Sequence, residues 1–163
     1  MRLTKTAGLA CLLSLVLASG ALYFWFSQRQ PLPALKCKAT AKVKIEAELG
    51  ELIFSIHESL QLYDSDKGLI QYEGYVKSAH DNTYLERTVY LNKGIRIDRL
   101  TWYFTIEKIA VSPLDTTPDA IFNQMWLENT GDNASMVIGI QPVREKTYVI
   151  SSPYSPLFIC VAW

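Results

Sequence analysis

A run of 23 residues without a charge, Thr6 to Gln28, is the feature that most narrows what this chain can fold into. Leu12, Leu13, Leu15, Val16 and Leu17 at its centre make it strongly apolar. At about 1.5 Å per residue a helix of this length spans a hydrocarbon core of roughly 30 Å. Tyr23, Trp25 and Phe26 cluster at its end, where aromatic rings favour the headgroup level. Residues 6–28 are therefore expected to form a single transmembrane helix, with residues 1–5 cytoplasmic. A cleaved signal peptide competes with this expectation, because Arg2 and Lys5 form a basic start and Ala18-Ser19-Gly20 offers a small-residue cleavage site. The apolar run continues beyond that site through Ala21 to Phe26, which a cleaved leader does not need. Cys11, preceded by Gly8-Leu9-Ala10, does not fit a lipoprotein site. Arg29, Lys36, Lys38, Lys42 and Lys44 follow the helix, so counting positive charges alone would favour the opposite orientation.

The other two cysteines decide the orientation. Cys37 and Cys160 stand at the first and nearly the last position of the remaining 127 residues, a length suited to one domain. A disulfide between them would close a loop of about 120 residues, for which chain entropy gives roughly 4–5 kcal/mol. Two unrelated buried thiols are the alternative. Metal binding is disfavoured, since only His57 and His80 could join the two cysteines and the spacing is not that of a zinc site. A disulfide belongs in an oxidising compartment, which places residues 37–163 in the periplasm, joined to an inner-membrane anchor by a Pro-containing linker over residues 29–36. From Cys37 onward 12 Lys and Arg face 16 Asp and Glu, a net charge of −4. Such a domain repels phosphate backbones, which argues against direct contact with nucleic acid.

Within the domain the dominant period is two. Lys42 to Leu49 alternates charged and apolar residues, the pattern of a strand with one wet face. Further strands are expected over Leu52 to Tyr63, Leu69 to Lys77, Tyr84 to Leu91, Ile95 to Asp98, Leu100 to Val111, Met136 to Ile140, Thr147 to Ile150 and Leu157 to Val161. Asp64 to Gly68, His80 to Thr83 and Asn92-Lys93-Gly94 read as turns, and Pro142 as a separator. One helix is expected from Thr117 as N-cap, through Pro118 and Asp119, to about Glu128. This predicts a mainly-β (α+β) domain: an antiparallel sheet closed, or nearly closed, into a small barrel with one covering helix.

Few residues suggest chemistry. Asp64-x-Asp66-x-Gly68 resembles a calcium loop, but its glycine sits one position early and Tyr75 stands where a bidentate Glu is needed. His57-Glu58-Ser59 has the residue types of a hydrolase, yet strand neighbours point to opposite faces and cannot form a relay. No catalytic residue, cofactor or metal is expected. His57 and His80 are candidate pH sensors, because histidine titrates between pH 5 and 8. The nineteen aromatic residues could line a cavity for one small apolar ligand, or simply pack the sheet.

The N-terminal anchor, the Leu35-Lys36-Cys37-Lys38 start and the Ser152-Pro153-Tyr154-Ser155-Pro156-Leu157-Phe158-Ile159-Cys160 close resemble the PsaF/MyfF proteins and, more loosely, the FidL-like membrane proteins. The resemblance implies a non-enzymatic accessory protein that pairs with a membrane-bound transcription regulator of the ToxR type. Such a protein stabilises its regulator and helps it respond to acid or envelope conditions and switch on fimbrial or virulence genes. A periplasmic ligand-binding module or envelope chaperone, acting without a regulator, is the second expectation.

Overall fold

The computed structural model describes residues 14–23, 34–47, 50–63, 66–79, 81–130 and 134–163. The chain divides into two units, Met1–Pro31 and Leu32–Trp163. In the first, residues 14–23 are helical (α1). The rest of the expected span, residues 6–13 and 24–28, lies outside the described residues, and among those described no helix is long and apolar enough to cross a membrane.

The second unit is an eight-stranded antiparallel barrel whose strands follow one another in chain order. They are β1 (Leu35–Ala47), β2 (Gly50–Leu62), β3 (Gly68–Lys77), β4 (Asn82–Arg96), β5 (Thr101–Val111), β6 (Ser135–Arg144), β7 (Thr147–Ser151) and β8 (Pro156–Ala162). The helix α2 (Asp119–Thr130) interrupts the meander between β5 and β6. Strict alternation sends Phe54, Ile56, Leu60 and Leu62 of β2 inward while Ser55 and His57 stay exposed. The same period places Ile70, Tyr72 and Val76 of β3 and Leu85, Val89 and Leu91 of β4 in the core. At Gly74 the backbone has φ +155°, and a Cβ there would collide with the carbonyl oxygen of Ser55, so β3 can approach β2 this closely only with glycine.

Four boundaries differ from those the sequence predicts. β1 begins at Leu35 rather than beyond Cys37, because Leu35 turns inward, pairs with Leu62 and is only 5% exposed; Leu35 and Lys36 thus belong to the barrel and not to the linker. Asn92-Lys93-Gly94 is not a turn. It is a bulge inside β4, marked by a register shift between Asn92 and Ile95 and by positive φ at Lys93, so Ile95 and Arg96 continue the same strand. Pro142 likewise sits within β6, opposite Tyr148, beside another register shift. α2 starts at Asp119, and Thr117 donates its hydroxyl to Thr83 Oγ1 in the barrel wall rather than capping the helix.

The interior is packed with side chains. Phe54 and Phe104 from the wall and Phe122 and Trp126 from α2 belong to one buried cluster, each at most 1% exposed, in the space where the sequence allows an apolar ligand cavity. Phe122, Met125 and Trp126 lie on one face of α2 at the three- and four-residue spacing of a helix, and that face is the one buried.

Candidate functional site

Closure of the barrel is its weakest joint. β1 pairs with β2 along its whole length, but with β8 only through Cys37 opposite Ala162 and Lys38 opposite Val161. The disulfide between Cys37 and Cys160 lies at this seam, with Cα atoms 5.4 Å apart and a sequence separation of 123. Both cysteines are fully buried. The C-terminus reinforces the seam, as Trp163 N–H donates to Lys36 O at 3.2 Å and the ring of Trp163 lies 4.9 Å from Lys38 Nζ.

Inside the barrel the register aligns Ala39, Glu58, Tyr72 and Arg87 on four successive strands. Glu58 is 6% exposed and makes no hydrogen bond among the described residues. Burial disfavours its charged form and pushes its pKa from 4.5 up to about 7. Burial, followed by the neighbouring Glu58 charge, also holds the Tyr72 hydroxyl well above its ordinary value. Tyr72 packs edge-on against Phe122 at 6.0 Å and Trp126 at 6.3 Å, and those two rings stack on each other. The Trp126 indole N–H and Gln124 Oε1 are buried without a hydrogen-bond partner among the described residues.

Arg87 completes the row and fixes the approach to α2. Its Nε donates to Asp115 Oδ2 at 3.0 Å, one terminal nitrogen donates to Asp119 at 2.7 Å, and the other to the Thr117 carbonyl. The guanidinium also lies 4.7 Å from the Phe122 ring centroid. Asp115 in turn accepts the backbone N–H groups of Glu86 and Thr117. A buried cation is thereby matched by a buried anion whose oxygens are fully used, the condition under which such a pair is tolerated.

Of the residues the sequence singled out, His57 is exposed on the outer face of β2, where its Nδ1 lies 3.0 Å from Thr40 Oγ1 and its cross-strand neighbour is Glu73. It borders a groove of about 490 Å³ together with Lys38, Glu58, Ser59, Gln61 and Trp163. His80 and Asp64 lie outside the described residues. Among the described residues no group of three His, Cys, Asp or Glu side chains is placed to hold a metal. Glu58, weighed only as part of a hydrolase-like triplet, and Arg87 are not among the expected site residues, although the signal is present in the sequence. Glu58 occupies the inward phase set by Phe54, Ile56, Leu60 and Leu62, and Arg87 that of Leu85, Val89 and Leu91.

A charged group in an apolar phase has a measurable consequence. The folded state holds the Glu58 proton more tightly than the unfolded chain, so this residue costs nothing below about pH 4.5 and progressively more as pH rises to 7. The full cost above pH 7 is about 3 kcal/mol. Glu58→Gln should therefore stabilise the domain by up to about this amount at pH 8 and change little at pH 4.5. Urea unfolding at the two pH values checks it, and an equal effect at both would rule out the buried carboxylate as the cause.

These features define a class: a disulfide-closed, up-and-down β-barrel, packed with side chains, with a helix that buries one face in its core and a buried carboxylate–tyrosine–arginine row. The family model described as "FidL-like putative membrane protein" matches residues 74–160, more than half of the chain, and the chain belongs to that family. The match runs from the middle of β3 to Cys160 and so includes Arg87, α2 and the second half of the disulfide. The family's description fits association with a membrane. No curated protein and no solved structure matches.

Proposed function

We propose that this chain is a non-enzymatic, membrane-anchored accessory protein. Its barrel, on the periplasmic side, docks on a ToxR-type membrane-bound transcription regulator as a heterodimer partner. It protects that regulator and helps it respond to acid or envelope conditions that switch on fimbrial or virulence genes. The observation that carries this reading is Glu58, a carboxyl buried inside the barrel and pushed up to about 7, so that its charge changes across the range from neutral to mildly acidic. Because the proton stabilises the fold, acidification tightens the domain rather than loosening it. Membership of a family described as membrane proteins, a disulfide suited to an oxidising compartment and an acidic domain that repels DNA support the same reading.

Deleting the gene should lower the regulator's protein level without lowering its transcript. Immunoblotting and transcript quantification in the same cells test this, and an unchanged regulator level with unchanged target expression would overturn the proposal.

A further inference from the structure

Strand β1 has two edges, and β8 covers only the beginning of one. Beyond Lys38, from Ala39 to Ala47, that second edge has no strand partner among the described residues, and Leu157 to Cys160 of β8 have none in β1. An unpaired edge of this length presents a row of backbone N–H and C=O groups able to pair with another chain. The side chains along it sort by face. Ala39, Ala41, Val43 and Ile45 turn toward the core, and Ala41 and Val43 are left half-buried although they pack against it. Thr40, Lys42, Lys44 and Glu46 turn outward and are exposed; Lys42 and Lys44 continue the basic run of Lys36 and Lys38 on a domain of net charge −4. Lys44 is shared with Glu51 and Glu46, whereas Lys42 forms no ion pair among the described residues.

Charge and spacing select the occupant. A second copy pairing antiparallel through β1 sets lysine opposite lysine in the registers centred on residues 42, 43 and 44, and like charges directly across a ladder destabilise it. An acidic strand would do the reverse.

We infer that the free edge of β1, from Ala39 to Ala47, is a docking site for an extended segment of a partner protein, with acidic side chains at alternate positions facing the lysines and small apolar ones facing Ala41 and Val43. Main-chain hydrogen bonds supply the affinity and the alternating side chains the specificity. The inference rests on the proposed function only in assigning this segment to the regulator.

The test uses the full chain in detergent micelles and a capped nine-residue peptide alternating Glu and Val, with the corresponding Lys and Val peptide as control. The acidic peptide is expected to bind at least about tenfold more tightly than the basic one. It should also slow hydrogen exchange at those amides of residues 39–47 that point away from β2. Lys42→Glu, at an exposed position the fold tolerates, should weaken acidic-peptide binding about three- to tenfold. No slowing by either peptide, equal slowing by both, or protection of the edge by the protein's own self-association would overturn the inference. If Lys42→Glu abolishes the peptide preference but the variant still stabilises the regulator fully in cells, the edge is not the regulator's site while the proposed function stands. If the peptide behaves as expected but deletion leaves the regulator unchanged, the site stands and the proposed function falls.

Discussion

Cys37→Ser or Cys160→Ser should lower the stability of the oxidised domain by about 2–5 kcal/mol, with the loss located at one seam of the barrel. The bond constrains a loop of 123 positions, for which chain entropy alone gives close to 5 kcal/mol, and native-state adjustments usually reduce what is measured. The location follows from the pairing. Elsewhere around the barrel neighbouring strands share at least five paired positions, in places across a bulge, whereas β1 and β8 share only two beside the disulfide. Loss of the bond should therefore accelerate exchange of the Cys37, Lys38, Val161 and Ala162 amides more than those of β3 or β4. Urea unfolding with and without reductant measures the magnitude, and residue-level exchange measures the place. Equal stability of wild type and variant under oxidising conditions would exclude a structural role for the bond.

Much of this architecture was legible because period two is a local signal. Lys42 to Leu49 declared a strand with one wet face, and β2 and β3 were bounded within a residue or two by the turn residues between them. Two kinds of feature were not legible. The first concerns composition that serves two purposes: Asn92-Lys93-Gly94 suits a tight turn and equally a bulge, and only the continued pairing of Ile95 and Arg96 with Tyr103 and Trp102 distinguishes them. Similarly, Lys36-Cys37-Lys38-Ala39 has little intrinsic preference for strand, and becomes one because β2 and the disulfide hold it there. The second concerns titration. The sequence directs attention to histidine because its ordinary pKa lies near neutrality, yet His57 is at the surface while Glu58, its neighbour, faces the core. A carboxyl acquires a pKa near 7 only through burial, and burial is a property of the closed barrel rather than of any local motif.

Arg87→Met should cost about 3–5 kcal/mol, because it strands the buried carboxylate of Asp115 without a counter-charge. The magnitudes of its two ion pairs separate them. Asp119 is 81% exposed, so its contact with Arg87 is worth well under about 1 kcal/mol and Asp119→Asn should be nearly silent. Asp115 is 1% exposed, and the side chain of Arg87 facing it only 4%. With the arginine gone, Asp115 would retain only the backbone N–H groups of Glu86 and Thr117 to stabilise its charge. The double variant Arg87→Met/Asp115→Asn should recover a substantial part of the loss, since no uncompensated charge then remains, and the coupling in the four-member cycle should be on the order of 1–3 kcal/mol. The structural readout is α2. Its approach is fixed through Thr117 and Asp115, while Phe122 and Trp126 are held in the barrel by their own burial. Arg87→Met should thus loosen the first turn of α2 in hydrogen exchange while the tryptophan environment, followed by near-ultraviolet circular dichroism, stays largely native below the unfolding transition. A loss under about 1 kcal/mol, or no recovery in the double variant, would mean that the buried pair is not what positions the helix.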